Sequence, residues 1–254
     1  MSAFLQVDIN CDLGEGLASD EEIMPYISSA SIACGAHAGD EDTMRQTLRL
    51  CKKYNVSIGA HPGYEDKKNF GRLEQTLSNR SISLLVTQQL IQLGQLAAEE
   101  GLKLNHVKPH GALYNSSAIN ADVAESIAYA VYEFNSRLIL YGLAGSLSLS
   151  MAESIGLRSA AEVFADRKYG SNGLLIPRSQ KNAVLESEQA VVKQVLEVVE
   201  NGSVTSDTKE TISLIFQPHQ SLTLCLHGDN PNAPQLAKAI YEALSSKNIT
   251  IQAP

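Results

Sequence analysis

Seven short β-rich runs recur along the chain, and helical patterns separate most of them. The runs are FLQVDINC (4–11), SASIAC (29–34), VSIGA (56–60), LNHVK (104–108), LILYG (138–142), AAEVFA (160–165) and LTLCLHGD (222–229). Between them, apolar residues fall at steps of three and four: Met44, Leu48 and Cys51; Ile82, Val86, Leu90, Leu93 and Ala97; Val123, Ile127, Ala130 and Phe134; Val192, Val195 and Val199. That period predicts helix faces packed on a sheet. Asp40, Glu41 and Asp42 suit the first turn of the helix that follows Gly39. Strand–helix alternation without a Pro/Ser-rich linker leaves two α/β architectures, a parallel βα barrel or a doubly wound sheet. The segment SVTSDTKETISLIF (203–216) breaks the rhythm and reads as a hairpin or an excursion. The connection HPGYEDKKNFGRLEQTLSNR (61–80) is long for a compact domain, and such loops often carry function.

A formal charge of −8 argues against non-specific nucleic-acid binding and against an anionic membrane surface. No apolar run reaches the roughly 18 residues of a membrane span. The N-terminal segment, from Met1, has no basic region and meets Asp8 early, so the expected location is cytoplasmic. Cys11, Cys34, Cys51 and Cys225 form no CxxC pair and read as buried small hydrophobes.

Chemistry-bearing residues follow the strands. Asn10, Asp12 and Glu15 come after the first run, His37 after the second and His61 after the third. HVKPHGALYN (106–115) closes the fourth, Arg167 follows the sixth, and His227 and Asp229 end the last. Five of the six histidines thus sit at or beyond strand C-termini, the end that carries active sites in parallel βα folds. In HVKPHGALYN the alternate positions His106, Lys108 and His110 would share one side of an extended chain. Lys108 and His110 would then stand side by side over a substrate, their removal sparing the fold, while His106 lies deeper as a structural residue. Gly111 releases the chain into a loop carrying Tyr114 and Asn115. There is no GxxxxGK[ST], no GxGxxG after the first strand and no GxSxG. What remains is a set of Asp, Glu, His and Lys suited to acid–base hydrolysis or to a divalent metal held by His and carboxylate.

The blocks DINCDLGEG, SIACGAHAGDEDTM, IGAHPGYED…NFGR, HVKPHGALYN, EVFADRKYGSNGLLIPR and CLHGDNPNA, in that order, resemble the LamB/YcsF family across about residues 5–250. Gly16, Ala36 and Leu73 depart toward smaller or non-aromatic side chains at the flanks of these blocks. The resemblance implies one domain over 1–254, an irregular seven-stranded parallel βα barrel of the glycoside hydrolase/deacetylase kind. It implies ATP-dependent opening of 5-oxo-L-proline (pyroglutamate) to L-glutamate together with 5-oxoprolinase subunits B and C, with ATP bound mainly by those partners. On that basis Asp12, His37, His61 and His110 are the candidates for water activation and proton transfer. Lys108, Arg72, Arg167 and Arg178 are candidates for phosphate or the substrate carboxylate. Asn10, Glu15, Tyr114, His227 and Asp229 are expected to support or contact the substrate. Two rivals remain open: a metal-dependent deacetylase or amidohydrolase, with a divalent ion on Asp12, His61 and His110, and a non-catalytic subunit that binds a small carboxylate.

Overall fold

A computed structural model describes residues 4–217 and 219–254; Met1 to Ala3, the start of the segment read for a targeting signal, lie outside them. In chain order the elements are β1 (Gln6–Leu13), α1 (Asp20–Ile23), β2 (Ser29–Ala33), α2 (Glu41–Tyr54), β3 (Ser57–His61), α3 (Asn79–Glu99), β4 (His106–Val107), α4 (Gly111–Ile119), α5 (Ala121–Asn135), β5 (Ile139–Leu143), α6 (Leu147–Ser154), β6 (Arg158–Phe164), α7 (Glu188–Asn201), β7 (Ser203–Thr205), β8 (Thr211–Ser213), β9 (Ser221–His227), α8 (Ala233–Ser246) and β10 (Thr250–Ile251). Strands β1-β2-β3-β4-β5-β6-β9 pair in parallel, and β9 returns to β1, so the seven close into a barrel. β10 adds in parallel beside β1, and β7–β8 form the antiparallel hairpin at the break in the sequence rhythm. Among the described residues no helix is long and apolar enough to cross a membrane.

The helices obey local chemistry. Asp40 caps α2 by accepting from the Thr43 N–H at 2.9 Å, and Asn55 ends it in the left-handed region. Met44, Leu48 and Cys51 bury as the periodicity requires. In α7 the buried face carries Val191, Val195, Val198 and Val199, so the stripe is shifted from the expected one and Val192 is only half-buried. The expected loop after Gly111 is instead helix α4. Gly111 opens it at φ +55°, and a Cβ there would meet the Gly71 carbonyl oxygen at 2.6 Å. Tyr114 therefore stands on a buried helical turn.

The main apolar core lies outside the barrel, between sheet and helices: Val7, Ile9, Cys11 and Leu13 of β1 belong to it. The alternate residues Asp8, Asn10 and Asp12 point inward, since their partners lie on strands across the barrel. The interior is accordingly polar. Asp8 accepts from Ser28 (2.6 Å), Thr223 (2.7 Å) and Tyr141 (3.0 Å) hydroxyls. His106 is wholly buried, stacks on Tyr141 at 4.1 Å and places Nε2 3.2 Å from Ser31 Oγ. Only glycine fits at position 59, where a Cβ would collide with the His106 ring. His106 is thus a packing residue low in the barrel.

Burial pulls the His106 imidazole from its ordinary 6.5 down to about 3. The unfolded chain therefore takes up a proton between those values that the folded chain refuses. The stability this neutral ring confers is complete above about pH 6.5 and is lost as pH falls, by about 1.4 kcal/mol per pH unit. Urea unfolding at pH 7 and pH 5 should show the wild type losing about 2 kcal/mol more than a His106→Gln variant. Equal losses in the two proteins would refute the assignment of a buried neutral imidazole.

Candidate active site at the C-terminal mouth of the barrel

The strand ends converge on a pocket of about 470 Å³, with Asp12, His61, Lys108, His110 and His227 in its lining. The extended course of HVKPHGALYN continues across Pro109. Lys108 N–H donates to the Ala60 carbonyl (2.9 Å) and His110 N–H to the Pro62 carbonyl (2.8 Å), prolonging the β3–β4 pairing. Both side chains consequently reach the pocket, as alternate positions should.

Lys108 is not free there. It is 2% exposed, and its Nζ lies 2.7 Å from Asp12 Oδ1 and 2.8 Å from Glu162 Oε1. It also reaches Asn10 Oδ1 at 3.1 Å and Cys225 Sγ at 3.0 Å. One ammonium thus serves two buried carboxylates, and Asn10 braces one of them by donating to Glu162 at 2.9 Å. Burial alone would push the Lys108 pKa down, but the Asp12 charge reverses this and holds it well above the usual range. Burial likewise favours protonation of Asp12, yet the charges of His61 and Lys108 keep its carboxyl well below the usual value. Asp12 is therefore an anion at neutral pH.

Beside it stand three histidines. His61 Nδ1 lies 2.7 Å from the Lys108 carbonyl, and His110 Nε2 lies 2.9 Å from the Phe70 carbonyl. Carbonyls only accept, so both of these nitrogens carry protons. The remaining nitrogens, His61 Nε2 and His110 Nδ1, face each other at 2.9 Å. Two bare lone pairs would repel at that distance, so the pair holds one extra proton or shares a cation. Asp12 Oδ2, 3.4 Å from His61 Nε2, supplies the balancing charge. His37 stacks flat on His110 at 3.7 Å, and neither of its ring nitrogens has a hydrogen-bond partner. Its Nε2 is 3.5 Å from Glu15 Oε1, which is also buried and unpartnered. Burial lowers His37 to about 3 and lifts Glu15 well above the carboxylate range.

The donors that converge are therefore Glu15, His37, His61 and His110, with one ligand atom from each within 4.8 Å of the others. Three imidazoles and a carboxylate, two of them with orphaned atoms, fit a borderline divalent cation such as zinc. The set offered by the sequence, Asp12 with His61 and His110, differs from this cluster, because Lys108 holds Asp12.

The cations divide. Asp229 binds Arg72, and it binds Arg178 with both oxygens, at 2.7 and 3.1 Å. Asp229 thus ties together two of the arginines expected to meet substrate. Arg167 lines the pocket and forms no ion pair among the described residues. His227 donates from Nδ1 to the fully buried Asp166 at 2.8 Å and stacks on Phe164. Tyr114 packs edge-on against Phe164, and its buried hydroxyl lacks a partner, as does Glu162 Oε2. Sequence reasoning missed Glu162 and Asp166. The available signal was an acid inside the apolar run AAEVFA and another directly after it.

The LamB/YcsF family pattern matches residues 7–254. The chain is 46% identical over 252 residues to the 5-oxoprolinase A subunit of Brevibacillus brevis, covering 97% of each protein. It superposes on the crystal structure of the lactam utilization protein from Thermus thermophilus with a TM-score of 0.89 at 36% identity, covering 98% of this chain and 100% of that one. A T48 deacetylase shares the fold, with a TM-score of 0.51 at 14% identity over 98% of this chain and 87% of that one.

Proposed function

The chain belongs to the LamB/YcsF family, and from that premise we propose that it is the A subunit of an ATP-dependent 5-oxoprolinase, opening 5-oxo-L-proline to L-glutamate with B and C subunits. The observation that carries this reading is the pocket floor. An anionic Asp12, held by Lys108 and facing His61, lies in a cavity bordered by arginines. That set can activate water and hold a carboxylate in one place. A full-length relative with this name, and a solved relative named as a lactam utilization protein, direct the reading to a lactam.

A five-membered lactam resists water because its nitrogen donates into the carbonyl. Transfer of a phosphoryl group from ATP to the lactam oxygen makes C5 electrophilic. Water then adds to C5, the C5–N bond breaks as nitrogen gains a proton, and a second water releases phosphate from the resulting acyl phosphate. Asp12 accepts the proton of the attacking water. The His61–His110 pair, with its extra proton, delivers one to the departing nitrogen. Lys108 keeps Asp12 ionised.

The chain has no P-loop sequence, and the relatives are named as one subunit. The chain alone, given ATP and 5-oxo-L-proline, should release less than about 1% of the glutamate formed when B and C subunits are added, a drop on the scale of losing positioning and electrostatic groups. Efficient turnover by the verified pure chain would defeat the multi-subunit reading.

A second reading, metal-assisted amide hydrolysis, is favoured by the orphaned Glu15 and His37 atoms beside the facing nitrogens. Glu15, His37, His61 and His110 would hold the ion, which would supply Lewis-acid polarisation of a carbonyl. Under this reading lactam opening proceeds without ATP and stops on chelation. ATP-dependent turnover unaffected by chelator excludes it.

A further inference from the structure

Three arginines border the pocket, and Asp229 neutralises two of them. Arg167 is the one without an acidic partner among the described residues, and it is also the most buried, at 6% exposed. Its Nη2 donates to the Ile176 carbonyl, while its Nε is buried with no partner at all. The backbone beneath is fixed: the Arg167 carbonyl accepts from Gln194 at 2.8 Å, and the residue bridges to Val184. The neighbouring wall is apolar, made by Phe164, Leu175 and Pro177. A guanidinium set this way has lost most of its water and feels the nearby Asp166 charge without pairing directly with it, a state that an arriving anion relieves. Burial, reinforced by the nearby Arg178 charge, draws its pKa down to about 10, which accords with a cation awaiting its partner.

We propose that Arg167 is the carboxylate receptor of the pocket: the α-carboxylate of the lactam substrate takes its guanidinium where it lines the cavity, while Arg72 and Arg178 remain held by Asp229. The assignment rests on the lactam reading and deepens it. A planar carboxylate matches the planar fork of arginine, and the apolar wall matches the methylenes of a five-membered ring. Inorganic phosphate offers the same anionic chemistry, so the test separates the two.

Calorimetric titration of the full chain would compare 5-oxo-L-proline, its carboxamide 5-oxo-L-prolinamide, and inorganic phosphate. The wild type should bind the acid at least about 30-fold more tightly than the carboxamide, a comparison that needs no variant. Arg167→Gln should erase that preference by weakening the acid alone, leaving the carboxamide within about three-fold. Arg167→Lys, which keeps the charge but not the fork, should fall between. Thermal melts of each variant establish folding. Equal binding of acid and carboxamide by the wild type, a preserved preference in folded Arg167→Gln, or a loss confined to phosphate would each overturn the proposal while leaving the lactam reading intact. Failure of the wild type, with or without partner subunits, to bind either lactam would remove that reading and this proposal with it.

Discussion

Replacing Lys108 with Met is expected to abolish turnover and to destabilise the chain by about 3–5 kcal/mol. The sequence alone suggested a cation presented to substrate, removable without harm to the fold. The structure places it between Asp12 and Glu162, nearly inaccessible to solvent. Without it two buried carboxylates lose the one ammonium that pairs them among the described residues, and each must be dehydrated unpaired or protonated. A loss of that size is a large share of the stability of an ordinary domain. The sign of the pH effect follows. Unpaired buried carboxylates bind protons more readily than in the unfolded chain, so the penalty should shrink as pH falls from 7 toward 4. Adding Glu162→Gln removes one of the orphaned charges, so the double variant should recover about half the lost stability and none of the glutamate release. Urea unfolding and the reconstituted turnover assay measure the two effects separately. A Lys108→Met protein within about 1 kcal/mol of wild type would show that the buried ion-pair account is wrong.

The fold was legible where the chemistry is local. Strand–helix alternation requires only period two against period 3.6, and the cap at Asp40 lies three residues from the N–H it holds. That Asp12, His61 and His110 would meet also followed, because parallel strands deliver their ends to one mouth. Pairings across the barrel did not follow. Asp229 finds Arg72 157 residues away and Arg178 51 residues away, and no local rule selects these partners. Glu162 looked like one polar residue in an apolar strand until the barrel set it opposite Lys108. Helix α4 was hidden because it opens on a glycine, which usually ends a regular element, and its serines and asparagine blur the apolar stripe.

His110 carries the second large effect. His110→Ala should lower turnover by the reconstituted complex at least about 100-fold, within the range of a lost acid–base group. The fold should survive. The residue flanks the start of α4 but makes no capping bond with its side chain, so the helix start does not depend on the ring. Removing it leaves the Phe70 carbonyl without its donor, takes the nearer of two neighbours from His61 Nε2, and opens space against the stacked His37. Together these should cost about 2–3 kcal/mol, survivable for a domain of ordinary stability. The catalytic loss has a separate origin. Burial, with His37 and His61 nearby, keeps the isolated His110 imidazole from charging in the physiological range. Only the contact with His61, balanced by Asp12, lets the pair retain a transferable proton. Without His110 that shared site between the two imidazoles is gone. The loss should therefore appear in kcat more than in KM, since the interaction matters as the ring nitrogen departs and not when the lactam binds. A folded His110→Ala complex turning over at near the wild-type rate would mean that the paired histidines are structural and that protonation of the leaving nitrogen comes from elsewhere in the pocket, with His227, oriented by Asp166, the next group to vary.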